Sequence, residues 1–330
     1  MSLMVLTEDE LRQTITIGEA IEAVKTAFAA MAENRINTPG SFRLDLPEVK
    51  GKADVKGAYV SEAPYYFVRV GNYFIDNPII NLPVQSGLIV AFDAASGFPV
   101  AIMLDNGYLS QIRAGAAGAL AADYLANKDL KRVAVIGSGS QAYIQLKSLM
   151  AVRHVSSVVV WGRSPLGTDS YARRLVEDHD LDMEIAPSVE AAVREADLII
   201  TATASQEPLV RAKWLKPGVH ITAIGSNTPS KQELHDDVLR RADIIIVDNF
   251  EQCAASGEIQ HGLKAGAITP EDVRGELGGL VIGKLPGRTR ADQITLADLT
   301  GLDIQDTAVG TCAVEKALFL GLGQRIVTSL

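Results

Sequence analysis

Arg132-Val133-Ala134-Val135-Ile136 runs directly into Gly137-Ser138-Gly139-Ser140-Gln141-Ala142, and these eleven residues decide the fold. The apolar run predicts a buried strand. The residues after the turn predict a helix, with Ile144, Leu146, Leu149 and Met150 on its apolar face, and a second strand follows at Ser157-Val158-Val159-Val160-Trp161. Gly137 permits the tight strand-to-helix turn, Gly139 lets backbone approach a pyrophosphate, and Ala142 lets helix pack on strand. The helix start adds free N–H groups and the positive end of a dipole. A dinucleotide site is therefore expected here, with Gly137, Ser138, Gly139, Ser140 and Gln141 as contacts.

The end of the second strand bears on which dinucleotide is held. An NAD site usually carries Asp or Glu about 20 residues further on, to hold the ribose 2′-hydroxyl. That point falls on Trp161-Gly162-Arg163-Ser164, with no carboxylate until Asp169. A guanidinium fork at Arg163 and a hydroxyl at Ser164 suit a 2′-phosphate. The expected cofactor is NADP or NAD, with Arg163 favouring NADP.

A length of 330 residues suggests two domains, and 47% hydrophobic residues suffice for a large core. No segment reaches the about 18 uninterrupted apolar residues of a membrane helix. The opening residues have no basic stretch before an apolar core, so no secretory signal is expected. Cys253 and Cys312 lie far apart without metal-ligand spacing, so two free thiols in a reducing cytoplasm and no metal site are expected. A net charge of −9 and the lack of any Lys/Arg cluster argue against a nucleic-acid partner.

Thr7 to Ala32 has helical spacing, with Thr7 and Glu10 resembling a capping box and Ile21, Val24, Phe28 and Met31 on one face. From Pro39 to Leu104 short alternating strands are expected, near 54–60, 65–70, 86–93 and 99–105, the last two joined by a turn at Ala94-Ala95-Ser96-Gly97. Ile112 to Leu125 reads as an alanine-rich helix. Beyond Leu130, strands near 132–136, 157–161, 182–185, 197–203, 219–224 and 243–247 alternate with helices. That alternation marks an α/β fold, a Rossmann-type doubly wound parallel sheet. The alternation decays near Leu296, and Asp306 to Leu322 reads as a final helix. The expected layout is a Rossmann domain over 121–304, and an α+β substrate-binding and dimerisation domain over 1–120 with 305–330. Strand edges in that second domain suggest a homodimer.

A nicotinamide needs a substrate held against it, and the first segment carries unusual arginines. Arg69 sits in an otherwise apolar strand, Arg113 opens the alanine-rich helix, and Arg43 follows a proline-marked loop. Arginine in an apolar frame must find an anion, and a substrate carboxylate fits its planar fork as well as a structural Asp or Glu does. Lys56, on a short strand just upstream of Arg69, is a candidate proton donor or only an edge lysine.

In order and spacing, several motifs resemble the ornithine cyclodeaminase/mu-crystallin family, from about Arg43 to Glu315. They are Phe74-Ile75-Asp76-Asn77-Pro78 through Leu82-Pro83, the Arg113 helix, the Gly137 to Ala142 turn, Thr201 to Ser205, Ala223 to Asn227 running on to Lys231-Gln232-Glu233-Leu234, and Gln305-Asp306. Asp54 to Tyr59 and Asp105-Asn106-Gly107-Tyr108 look closest to an ectoine-utilisation-like or iminosuccinate-reductase-like branch. The family also holds alanine dehydrogenases and ketimine reductases. The resemblance implies substrate-carboxylate binding at Arg43 and Arg113, with Asp306 beside them. It implies cofactor contacts at Gly139, Ser140, Gln141, Arg163, Thr203 and Ser205, a set that Val84 and Ser226 complete.

Two positions depart from the cyclodeaminase pattern. Where that pattern has a substrate-facing lysine this chain has Arg69, and where it has a catalytic aspartate this chain has Asn227. Asparagine accepts no proton as a carboxylate does, and arginine is effectively never deprotonated. Hydride transfer needs neither group; it needs an oriented imine and a carboxylate clamp. The first expectation is thus an NAD(P)H-dependent reductase of a small α-imino acid, or the reverse amino-acid dehydrogenase. A guanidinium at Arg69 would suit a second carboxylate, as in reduction of iminosuccinate to aspartate. The alternatives are a cyclodeaminase releasing ammonia, with Lys56 or a nearby carboxylate doing the proton work, and a crystallin-like NADP-binding protein without turnover.

Overall fold

Val133, Ala134, Val135 and Ile136 are all fully buried, as a strand covered by helices on both faces must be. In the computed structural model, which describes residues 2–40, 42–179 and 181–327, this strand lies within an eight-stranded sheet. The chain divides into two compact units, Met1–Arg113 with Leu302–Leu330, and Ala114–Gly301.

The second unit is a Rossmann-type α/β domain. Its strands run Asp182–Ile185, Val155–Trp161, Leu130–Ile136, Leu198–Thr201, His220–Ala223, Thr295–Asp298, Ile244–Val247 and Val273–Glu276 across the sheet, all parallel. The first five follow the usual 3-2-1-4-5 order of a doubly wound sheet. Alternate side chains feed two cores, Ala134, Ile136, Ile199 and Ile221 toward one and Val133, Val135, Leu198 and Ile200 toward the other.

Two strands of this sheet lie outside those expected, Thr295–Asp298 and Val273–Glu276. Leu296 is fully buried in Thr295–Asp298, which lies in mid-sheet between His220–Ala223 and Ile244–Val247. Four residues ending in Asp298 are too short and too polar for the strand pattern to be recognised. Val273–Glu276 escaped recognition for the same reason, with Arg274 and Gly275 in place of an apolar run.

The first unit is α+β. Its sheet runs Gln324–Val327, Ser2–Thr7, Pro99–Leu104, Gln85–Asp93, Tyr65–Phe74, Gly51–Val60 and Ile36–Asn37, with Phe42–Leu46 also paired to Gly51–Val60. All contacts are antiparallel except that of Ser2–Thr7 with Pro99–Leu104. The opening strand carries Met4 and Leu6, both fully buried, and its six residues show too little alternation to be foreseen.

The single helix expected over Thr7–Ala32 is two, Glu8–Thr14 and Ile17–Ala32. Ile15 and Thr16 are extended, and Thr16 opens a second capping box with Glu19 after the one formed by Thr7 and Glu10. The last helix, Asp303–Leu320, lies on the sheet: Thr307 Oγ1 donates to the Ala58 carbonyl at 3.1 Å, and a Cβ on Gly310 would stand 2.7 Å from the Phe67 ring. Among the described residues no helix is long and apolar enough to cross a membrane.

Candidate functional site

In the first unit, strand register gathers the candidate cations. Phe67, Arg69 and Gly71 share one face of Tyr65–Phe74, because side chains alternate. Their partners on Gly51–Val60 are Ala58, Lys56 and Asp54, and Arg43 stands opposite Asp54. This is the face that Asp303–Leu320 covers, and the first turn of that helix delivers Asp303, Gln305 and Asp306 to it.

Each meeting is an ion pair or hydrogen bond. Lys56 Nζ lies 3.4 Å from Asp303 Oδ1. Arg113 Nη1 donates to Gln305 Oε1 at 2.8 Å, and its Nε lies 3.5 Å from Asp306 Oδ1, which also accepts from Ser110 Oγ at 2.9 Å. Arg43 Nε donates to Asp45 Oδ1 at 3.2 Å and lies 3.7 Å from Asp54. Burial alone would raise the Asp306 carboxyl, but Arg113 and Arg69 outweigh it and hold Asp306 below the ordinary carboxylate value. Burial pushes Asp303 and Asp105 upward, against the pull of Lys56 on the one and of the Gly107 N–H and Arg69 on the other. Arg43, Lys56, Arg69, Arg113 and Asp306 thus stand on one charged face. Sequence reasoning missed Asp303 and Gln305 as their partners. The spacing of Asp303 and Asp306, one turn apart at a helix start, was the available signal.

In the second unit the glycine turn has the expected form. Gly137 has φ +123°, and a Cβ there would meet the Ala202 carbonyl at 2.5 Å, so only glycine fits. Gly139 caps Ser140–Val152, and nothing lies within 4 Å of its missing Cβ. Ala142 is fully buried beneath the helix, and Gln141 Oε1 is buried with no hydrogen-bond partner among the described residues. An open backbone approach, a helix N-terminus and an orphaned polar atom at one turn fit a dinucleotide phosphate.

Arg163 is exposed after Trp161, and among the described residues no carboxylate pairs with it. The Ser164 hydroxyl is engaged in capping Pro165–Asp178, accepting from Gly167 N at 3.2 Å. Thr203 donates from N and Oγ1 to Glu233 Oε1 at 2.6 and 2.7 Å, and Ser205 Oγ donates to the Glu207 carbonyl at 2.7 Å. Ser226 is buried, its hydroxyl donating to the Lys231 carbonyl at 2.9 Å. Asn227 is exposed and accepts from Lys231 Nζ at 3.0 Å. Val84 belongs to the first unit, where its carbonyl accepts from Phe74 N.

A second polar cluster went unforeseen. Glu233, Asp248, Glu258 and Asp298 are all fully buried near the carboxyl ends of the second unit's strands. Glu233 accepts from Thr203 and, at 2.9 Å, from Gly225 N; Glu258 accepts from the N–H groups of Glu233 and Leu234 at 2.8 and 3.0 Å. Asp248 accepts from Gly301 N at 2.6 Å and Thr300 Oγ1 at 3.0 Å, and Asp298 from Ile259 N at 2.9 Å. Burial raises all four, Asp298 to about 7. Glu233 holds the loops at Thr203 and Gly225, next to Ser226 and Asn227; Glu258 braces Glu233, and Asp248 and Asp298 hold the backbone at Gly301 and Ile259.

The chain is similar along its whole length to several solved structures. An archaeal alanine dehydrogenase dimer with bound NAD is 34% identical, with a TM-score of 0.93 over 99% of each chain. The Δ1-pyrroline-2-carboxylate reductase of Thermococcus litoralis, in complex with NADH and L-proline, is 28% identical, with a TM-score of 0.93 over 98% of this chain and 100% of that one. The iminosuccinate reductase of Paracoccus denitrificans, in complex with NAD+, is 31% identical, with a TM-score of 0.92 over 99% of this chain and 100% of that one. Residues 1–319 match the ornithine cyclodeaminase/mu-crystallin family, and the chain belongs to that family.

Proposed function

We propose that this chain is an NAD(P)-dependent oxidoreductase that reduces a small α-imino acid to the amino acid and, in reverse, acts as an amino-acid dehydrogenase. The observation that carries the reading is the row of guanidinium and ammonium groups on one sheet face, with Arg113 tethered to Gln305 and Asp306. Relatives that are alanine, iminosuccinate and pyrroline-carboxylate oxidoreductases support it.

When bound, the nicotinamide supplies the hydride. The first unit binds substrate: Arg113 and Arg43 orient its carboxylate by charge-assisted hydrogen bonds, and Lys56, tethered to Asp303, holds a proton at Nζ on the same face. The second unit holds the cofactor through Gly137 to Gln141, Thr203 and Ser205. Arg163, with no carboxylate partner among the described residues, favours NADP over NAD. Asn227 and Arg69 supply no general base, which disfavours cyclodeamination and leaves reduction intact. The first unit also serves dimerisation, a reading supported by its exposed Phe42, Leu44, Ile79 and Ile80 and by likeness to an alanine dehydrogenase dimer. Two free cysteines accord with a reducing cytoplasm.

A spectrophotometric screen tests the function: oxidation of NADH and of NADPH with pyruvate, glyoxylate, oxaloacetate and cyclic imines, with ammonia supplied to the keto acids. Turnover on at least one is expected. Ammonia release from ornithine with no imine reduction would overturn the reading.

A further inference from the structure

Four cations stand on the charged face of the first unit, and three have a carboxylate within ion-pair distance. Arg43 has Asp45 and Asp54, Lys56 has Asp303, and Arg113 has Asp306. Among the described residues Arg69 has neither an ion pair nor a hydrogen bond, although it is partly buried and stands directly opposite Lys56 in the antiparallel pair. Like charges so placed repel, and an unpaired guanidinium beside an ammonium favours an anion between them. The two carboxylates that its charge lowers are committed elsewhere: Asp306 to Arg113 and Ser110, and Asp105 to Leu109 N at 3.1 Å.

Arg69 lies over a stretch of sheet that carries no side chains. Its guanidinium lies over Gly71, where a Cβ would stand 2.8 Å from Nη2 and 3.0 Å from Cζ. Across the ladder Gly71 faces Gly87, where a Cβ would stand 2.4 Å from the Val70 carbonyl. No side chain rises from either position, so the guanidinium rests on a floor of bare backbone.

We propose that Arg69 selects an imino acid bearing a second carboxylate, so that the favoured substrates are dicarboxylic α-imino acids and the products acidic amino acids. This rests on the reductase reading. Arg113 and Arg43 engage the α-carboxylate, and Arg69 presents its unused fork to the distal one. A lysine in this place would offer one point charge; the planar fork offers paired donors.

The test compares oxaloacetate with pyruvate, each with ammonia and reduced cofactor, in the wild type, Arg69→Met, Arg69→Lys and Gly71→Ala. The wild type is expected to favour oxaloacetate in kcat/KM by about tenfold or more, and Arg69→Met to lower that ratio about 10- to 100-fold, the scale of a charge-assisted hydrogen bond. Arg69→Lys and Gly71→Ala, the second moving the guanidinium without removing it, should fall between. A ratio unchanged in Arg69→Met, or a wild type that favours pyruvate, overturns the proposal.

A second arm needs no turnover: calorimetric titration of the protein, saturated with oxidised cofactor, with succinate and with propionate. Succinate should bind about tenfold tighter, and Arg69→Met should abolish the difference. Equal binding in the wild type overturns the assignment of Arg69. If every keto acid and imine fails in the kinetic assay while succinate retains its Arg69-dependent preference, the reductase reading falls and the assignment of Arg69 stands.

Discussion

The two polar clusters are built on opposite principles. On the charged face of the first unit, carboxylates meet cations: Lys56 with Asp303, Arg113 with Asp306, Arg43 with Asp54. In the second unit Glu233, Asp248, Glu258 and Asp298 meet only neutral donors, chiefly backbone N–H groups and threonine hydroxyls. The mixed cluster leaves a cation, Arg69, over for something outside the protein. The acidic cluster spends its acceptors mainly on loop backbone, with Asp298 Oδ1 left without a hydrogen-bond partner among the described residues. Charge count separates a site that binds from a frame that holds, and the separation can be attacked from either side.

The largest effect is expected in the frame. Asp298 is raised from 3.8 to about 7, so its folded form holds a proton that the unfolded chain releases. The stability it contributes is full below pH 4 and is lost as pH rises through 7. The loss is about 4 kcal/mol, three pH units at about 1.4 kcal/mol each. Asp298→Asn keeps an acceptor for Ile259 N and should flatten this decline, as thermal unfolding at intervals from pH 4 to 8 would register. An unchanged slope would mean that Asp298 is charged in the fold.

In the binding cluster, Arg113→Ala should lower kcat/KM about 100-fold, mostly through KM, because it removes a carboxylate clamp and strands Asp306. Cofactor affinity, measured by fluorescence titration, should not follow; an equal loss there would move Arg113 out of the substrate site. Glu233→Gln turns one of two accepting oxygens into a donor facing other donors. It should cost about 2 kcal/mol, seen as a fall in Tm of about 4–8 °C, and should weaken the cofactor. A stable variant with weak cofactor binding would make Glu233 a direct contact rather than a brace. The smallest expected effect is that of Arg163→Ala, which should weaken NADPH about tenfold and NADH little, the scale of a lost charge-assisted contact. Equal losses would defeat the phosphate assignment.

How far the sequence could be read follows the same division. Gly137, Gly139 and Ala142 were legible because a strand-to-helix phosphate turn demands particular residues at fixed spacing. Arg69 was legible because it breaks an otherwise apolar strand. The partners Asp303 and Gln305 were not, since they lie about 200 residues or more from Lys56 and Arg113 in the chain, and pairing at that range leaves no local pattern; Asp306 was named only through the family resemblance. Asp298 and Glu233 were hidden for another reason. A buried carboxylate satisfied by backbone N–H groups looks, in sequence, like any surface acid at the end of a strand. The strand Thr295–Asp298 was lost with it, because four residues are too few to show a period.

That late strand has a bearing on how the polypeptide matures. During synthesis from the N-terminus, His220–Ala223 and Ile244–Val247 emerge first, yet each gains its neighbour on the shared side only when Thr295–Asp298 arrives between them. The charged face waits longer still: Lys56 and Arg113 have no counter-ions until residues 303–306 are made. An incomplete chain therefore carries the cations without the carboxylates that tether them. The clamp assembles last, once both ends of the chain have met in the first unit.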